Sequence, residues 1–163
     1  MIKGLHHNAY RCRDSEETRK FYEDFLGLPL VNAFPIRETK TGRATSALHS
    51  FYQMDDGSCL AFFEVPDMPF EFKKQHDYDL HIAVEVTNAD LHRMFAKGKA
   101  AGMDTRGIAD HGFIDSIYFR DPNGYVVELT AKREGSEREM ERAKKDARRT
   151  LEEWQAAKAK RAA

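Results

Sequence analysis

Apolar positions along the chain change period twice, in the same order each time. Residues 4–12, GLHHNAYRC, read as a strand. Asp14 with Glu17 then opens a helix that carries Phe21, Tyr22, Phe25 and Leu26 on one face, and Gly27 stands where a left-handed residue stops it. Apolar segments near 28–36, 45–54 and 58–66 follow, divided by turn residues such as Asp55-Asp56-Gly57. From residue 79 the order returns. DLHIAVEV (79–86) is a strand, Asn88 is the expected cap of a helix bearing Leu91, Met94, Phe95, Gly98 and Ala101, and Gly102 ends it. Strands near 104–109, 113–120 and 124–131 complete the set, with Asp121-Pro122-Asn123-Gly124 as a hairpin turn. This predicts an α+β fold: one domain over 1–131, built from two βαβββ modules at about 1–67 and 78–131.

Residues 132–163 break the pattern. They carry a net charge of +4 where the rest carries −5, and their few apolar anchors (Met140, Ala143, Ala147, Leu151, Trp154) recur at helical spacing. A long, charged C-terminal helix with one narrow sticky stripe is expected. That stripe, Met140, Leu151 and Trp154 above all, needs a covering surface, which predicts a homodimer. The interspersed acids favour a solvated helix face over RNA binding.

Composition narrows the rest. With 41% hydrophobic and 33% charged residues in 163, and a net charge of −1, nothing points to nucleic acid or to a membrane surface. No apolar run is long enough to span a bilayer, and the N-terminus lacks a targeting character, so a cytoplasmic protein is expected. Cys12 and Cys59 have no metal-site spacing and read as free, buried thiols. The segment 66–79, with Pro66, Pro69, Phe70 and Phe72, reads as a lid or an intermodule linker.

Four residues carry the candidate chemistry. His7 and His81 hold matching places at the start of each module's first strand, and Glu64 (FFEV) and Glu128 (VVEL) lie late in each final strand. A buried carboxylate needs a partner, and two imidazoles with two carboxylates suit a divalent cation. Two separate His–Glu hydrogen bonds would satisfy the same four groups.

The motifs HHNAYRCRD, FYEDFLGLPLV, LAFFEV, DLHIAVEV and above all YFRDPNGYVVELT resemble the vicinal oxygen chelate superfamily, which includes glyoxalase I, extradiol dioxygenases, methylmalonyl-CoA epimerase and the fosfomycin- and bleomycin-resistance proteins. The resemblance covers 4–131. It implies curled mixed sheets around a central metal site with His7, Glu64, His81 and Glu128 as ligands. One divalent transition metal (Zn, Ni, Co, Mn or Fe) would chelate neighbouring oxygens of a small-molecule substrate and stabilise an enediolate-type intermediate.

Two reactions compete within that resemblance. In glyoxalase I all four strand positions bind the metal and a carboxylate acts as base. Glu128 or Glu64 would then move a proton between neighbouring carbons, and Arg11 matches an arginine that holds a glutathione carboxylate. Pro66-Asp67-Met68 replaces the asparagine that also holds glutathione there. The segment ADHGFIDSIYFRDPNGYVVE (109–128) follows instead the extradiol dioxygenase signature, with His111 and Tyr118 near the bound catechol and iron on His7, His81 and Glu128. The acid–base histidine of those enzymes would fall near 58–60, where none stands. Because a fourth ligand competes with oxygen, the presence of Glu64 favours a glyoxalase-like lyase or isomerase; a ring-cleaving dioxygenase (Fe or Mn) is the alternative, and a bleomycin-resistance-like binding protein the third. His49, in a strand expected to line the first module, is a further substrate-binding candidate.

Overall fold

The computed structural model describes residues 1–72 and 76–162. Its elements run β1 (Tyr10–Cys12), α1 (Ser15–Arg19), β2 (Leu30–Glu38), β3 (Ala44–Gln53), β4 (Cys59–Glu64), β5 (His81–Glu85), α2 (Asn88–Ala100), β6 (Thr105–Asp110), β7 (Ile114–Arg120), β8 (Val126–Lys132) and α3 (Ser136–Ala162). Two four-stranded sheets have the same order, β1-β4-β3-β2 and β5-β8-β7-β6, so each module sets its first strand beside its last. The repeat read from the residues is thus a repeat of topology. Residues 73–75 of the expected lid or linker lie outside the described residues. Among the described residues no helix is long and apolar enough to cross a membrane.

The chain divides into two compact units, Met1–Ile82 with Phe119–Val127, and Ala83–Tyr118 with Glu128–Ala163. The tip of the β7–β8 hairpin is therefore counted with the first unit, and its side chains explain why. The Asp121 carboxylate accepts four hydrogen bonds: from the backbone N–H of Asn123 (2.9 Å) and Tyr125 (2.8 Å), from Asn123 Nδ2 (3.0 Å), and from the Tyr22 hydroxyl (3.0 Å). Asn123 Nδ2 also donates to Thr18 Oγ1 (3.2 Å), and its Oδ1 accepts from the Arg13 N–H (2.9 Å). Tyr22, Thr18 and Asn123 are almost wholly buried. Burial holds the Asp121 carboxyl above its ordinary value despite its donors, and raises the Tyr22 phenol. Gly124 closes the turn at φ +95°, and a Cβ there would meet the Phe72 ring at 2.8 Å.

Local structure departs from the sequence expectation at three places. The first strand is regular only over Tyr10–Cys12, because the Asn8 side chain rather than a backbone carbonyl accepts the Ala61 N–H (2.9 Å). Before it, His7 makes a single parallel bridge to Cys59. The first helix starts as expected, Asp14 Oδ1 accepting the Glu17 N–H at 2.8 Å, but widens into a π-helical stretch over Lys20–Phe25. Within it the consecutive Phe21 and Tyr22 are both buried. The second helix is capped by Thr87, whose Oγ1 accepts the Asp90 N–H (3.1 Å), and not by Asn88. Its buried face is Leu91, Met94 and Gly98, with Ala101 exposed beyond the end. Gly27 and Gly102 hold positive φ as expected, and both cysteines are free and buried.

The Asp121 cluster generates the first test. Tyr22→Phe leaves a buried carboxylate one donor short and is expected to cost about 1.5–3 kcal/mol. Gly124→Ala adds backbone strain to a clash with Phe72 and is expected to cost at least about 1 kcal/mol. Urea unfolding monitored by circular dichroism measures both; unchanged midpoints would contradict the role given to the turn.

Candidate metal and substrate site

In the first unit, β4 sorts the predicted residues onto two faces. It pairs in parallel with β1 (Tyr10 with Phe62, Cys12 with Glu64) and antiparallel with β3 (His49 with Phe63, Phe51 with Ala61). One face carries Leu60, Phe62 and Glu64. It is the helix side, since Phe62 packs on Tyr22 with ring centroids 4.6 Å apart. Glu64 uses its Oε2 to accept the N–H of Ser15, the first residue of α1, at 2.8 Å. His7 is in register with Cys59 and belongs to the other face, where its ring meets Phe51 (5.4 Å) and His49 (6.1 Å). The alternation that places Glu64 with Phe62 was legible in the sequence. It is the same alternation that separates Glu64 from His7.

The His7 face is aromatic. His49, 6% exposed, stacks on Phe63 with centroids 3.7 Å apart and planes 7° apart, and meets Phe51 and Phe34 edge-on or tilted. Its Nδ1 lies 3.0 Å from the Phe62 carbonyl oxygen, which can only accept, so Nδ1 carries the proton and Nε2 the lone pair. Phe34, Phe51 and Phe63 were missed as site residues. The positions Ala47, His49 and Phe51 alternate along β3, and that period could have found Phe51.

Both strand-start histidines have Nδ1 engaged. His81 Nδ1 donates to the Asp77 carbonyl at 2.9 Å, and His7 Nδ1 lies 2.7 Å from His6 Nδ1, one of the pair donating. His6 and His7, adjacent in sequence, can meet because this segment precedes the regular part of β1, where neighbours alternate. For His81 this leaves Nε2 as the basic nitrogen, the arrangement by which second partners prepare a metal-binding imidazole. Arg11 shares the parity of His7 and donates through one nitrogen to the carbonyls of Met68 (2.7 Å) and Val65 (3.4 Å), tying down the chain after β4. Its Nε is buried with no hydrogen-bond partner among the described residues.

The second unit brings three predicted residues together. Ile117, Leu129 and Ala131 are buried on one face of its strands; Tyr118 and Glu128 point the other way. The Tyr118 hydroxyl donates to Glu128 Oε1 (3.1 Å) and lies 2.8 Å from His111 Nε2. Since the phenol proton is committed to Glu128, the phenol oxygen accepts, and His111 is the tautomer protonated at Nε2. The guanidinium carbon of Arg106 stands 5.5 Å from the Tyr118 ring centroid. Burial first, and the Glu128 carboxylate second, raise the Tyr118 pKa above its ordinary value. Glu128 is 6% exposed.

Among the described residues, no three His, Cys, Asp or Glu side chains stand close enough together to hold a metal ion. The donors suit one chemically: two imidazoles, at least one held in the ligating tautomer, and a buried carboxylate already positioned by a phenol.

The family model for the Glyoxalase/Bleomycin resistance protein/Dioxygenase superfamily matches residues 4–129. Among curated proteins, the chain is 28% identical over 138 residues to a protein named as a ring-cleaving dioxygenase, MhqA of Bacillus subtilis (strain 168). That match covers 82% of this chain and 42% of MhqA, so the chain spans less than half of that relative's length. It is 27% identical over 135 residues to the metallothiol transferase FosB of Shouchella clausii (strain KSM-K16), covering 79% of this chain and 80% of FosB. Among solved structures, the fosfomycin resistance protein FosX of Listeria monocytogenes, complexed with Mn(II) and sulfate, superposes with a TM-score of 0.60 at 20% identity, over 82% of this chain and 95% of that one.

Two substitutions separate the carboxylates in chelator-treated protein. Tyr118→Phe deprives the buried Glu128 of a donor and is expected to cost about 1–3 kcal/mol. Glu64→Gln weakens only an N–H contact at a helix start and is expected to cost about 1 kcal/mol or less. Urea midpoints in the reverse order would contradict these surroundings.

Proposed function

The chain belongs to the Glyoxalase/Bleomycin resistance protein/Dioxygenase superfamily, and from that premise we propose that it is a metal-dependent enzyme that opens the ring of a small aromatic diol. A divalent cation, iron or manganese, would be held by His7, His81 and Glu128, the ligand positions that the family resemblance implies. The observation that carries this reading is the position of Glu64, on the helix side of its sheet and bound to the Ser15 N–H. Removing Glu64 from the ligand set leaves two imidazoles and one carboxylate, the set that keeps positions open for a bidentate substrate and dioxygen. The lyase or isomerase reading depended on Glu64 as a fourth ligand, and loses its main support.

When bound, the cation supplies Lewis-acid activation of two neighbouring substrate oxygens. The chain's own residues do the remainder. Phe34, Phe51 and Phe63, with His49 stacked on Phe63, make the surface near His7 aromatic, suited to packing against a ring and keeping water from it. His49 presents an unprotonated Nε2 as a proton acceptor. His111, protonated at Nε2 and bonded to the Tyr118 oxygen, can pass a proton through the phenol. Arg11 acts as a positioning residue for the chain after β4.

A second reading is thiol or proton-transfer chemistry at the same cation. It is favoured by length, since the chain covers 80% of FosB but 42% of MhqA.

Metal analysis and oxygen uptake test the proposal. Protein purified without chelator is expected to hold about one metal per chain, and His81→Ala to lose it together with about 2–3 kcal/mol of stability, the linkage for a site filled to a hundred times its Kd. Glu64→Ala is expected to keep its metal. Anaerobically iron-loaded protein is expected to consume oxygen with a panel of catechols and hydroquinones and to form a coloured ring-opened product. Tyr118→Phe is expected to slow this about a hundredfold or more, the usual range for a lost proton-transfer group. Metal loss in Glu64→Ala would restore the four-ligand reading; thiol consumption without oxygen uptake would select the second.

A further inference from the structure

From Glu137 to the last described side chain, nearly every residue of α3 is exposed, so this 27-residue helix has no packed partner along most of its length. Its charged faces hold themselves together through Arg142–Glu139, Lys144–Glu141 and the Asp146–Arg149–Glu153 group. Its apolar stripe is left open: Met140 is 52% exposed, Leu151 50% and Trp154 62%. An isolated helix with such a stripe gains by pairing.

We propose that α3 pairs antiparallel with the α3 of a second copy of this chain, about a two-fold axis at Ala147, and that Trp154 of each copy enters the cavity beside Met140 of the other.

The spacing of the stripe argues for this occupant. Met140, Ala143, Ala147, Leu151 and Trp154 lie seven and four residues to either side of Ala147. Under a two-fold axis through Ala147, Leu151 meets Ala143 of the other copy, large against small, and Trp154 meets Met140. An isologous contact requires this self-complementarity. The one pairing of two large residues falls where there is room. A cavity of about 530 Å³ opens beside Met140, walled by Phe113 and Ile114 and rimmed by Lys132, Glu137 and Glu141. Charge agrees at the ends. Lys158, one turn beyond Trp154, falls opposite Ser136 and next to Glu137 of the other copy, giving two such ion pairs per dimer. Lys144 and Arg148 lie beside the axis and face their own symmetry mates, so the pair is held by its stripe and its ends rather than by its middle.

Sedimentation equilibrium and disulfide trapping of the full-length chain test the proposal. The wild type is expected to be dimeric, and Leu151→Glu to raise the dimer Kd at least about tenfold without changing the circular dichroism, because Leu151 is half exposed on a stretch of helix whose residues are all exposed in one chain. The single tryptophan reports on its own pocket. Its emission is expected to shift to the red on dilution and in Leu151→Glu. Lys158→Glu and Glu137→Lys are each expected to weaken the dimer, and the double exchange to restore it. Under oxidation Ala147→Cys is expected to cross-link to itself, whereas Met140→Cys forms far less, since Met140 faces Trp154 and not its own mate. The buried Cys12 and Cys59 contribute little background. A monomer at all concentrations, a dimer indifferent to Leu151→Glu, or efficient self-linking of Met140→Cys, which marks a parallel pair, would each overturn the proposal.

Discussion

Burying a carboxylate is the constraint on which the first unit depends. Asp121 sits out of water and has to find hydrogen-bond donors for its lone pairs, and the turn that contains it supplies only some of them. The last comes from Tyr22 in the π-helical stretch, while Asn123, itself bonded to Asp121, reaches Thr18 and Arg13 on either side of the start of the first helix. The Asp-Pro-Asn-Gly tetrapeptide is therefore more than a hairpin corner. Each of its polar side chains fixes the hairpin tip against a helix about a hundred residues earlier in sequence. A hairpin turn needs only its own backbone bond; this one is specified by distant residues that must also be buried.

That dependence explains how the sequence could be read. Elements with a local cause were legible: the Asp14 cap, the glycine stops at 27 and 102, the strand periods and the repeated order. The π-helical stretch was not, because Phe21, Tyr22, Phe25 and Leu26 fit the face of a regular helix equally well. The Asn88 cap went to Thr87 because two adjacent residues can both cap, and the choice depends on which backbone position is extended. The first strand shortened because a side-chain amide at Asn8 took the place of a ladder carbonyl.

The candidate site divides in the same way. The chemical types of His7, His81, Glu128, His111 and Tyr118 were legible from matched positions and from the family resemblance. The His111–Tyr118–Glu128 chain gives three of them a physical connection. Glu64 was placed on the correct face of its strand and credited with the wrong neighbours, because facing depends on how β1 and β4 are set against each other, and parallel register leaves no mark in either strand alone. The aromatic surface around His49 was hidden for a related reason. It is assembled from β2, β3 and β4, each of which contributes one or two rings.

The opposed facings of His7 and Glu64 also bear on how such a protein diverges. Side chains in a strand alternate, so one inserted or deleted residue in β4, or a single bulge, exchanges its two faces. A carboxylate that now anchors a helix start would turn toward the imidazole face, and the residue next to it would inherit the anchor. Were His7 to hold a metal, as proposed, the donors around it would then be one indel away from gaining a carboxylate.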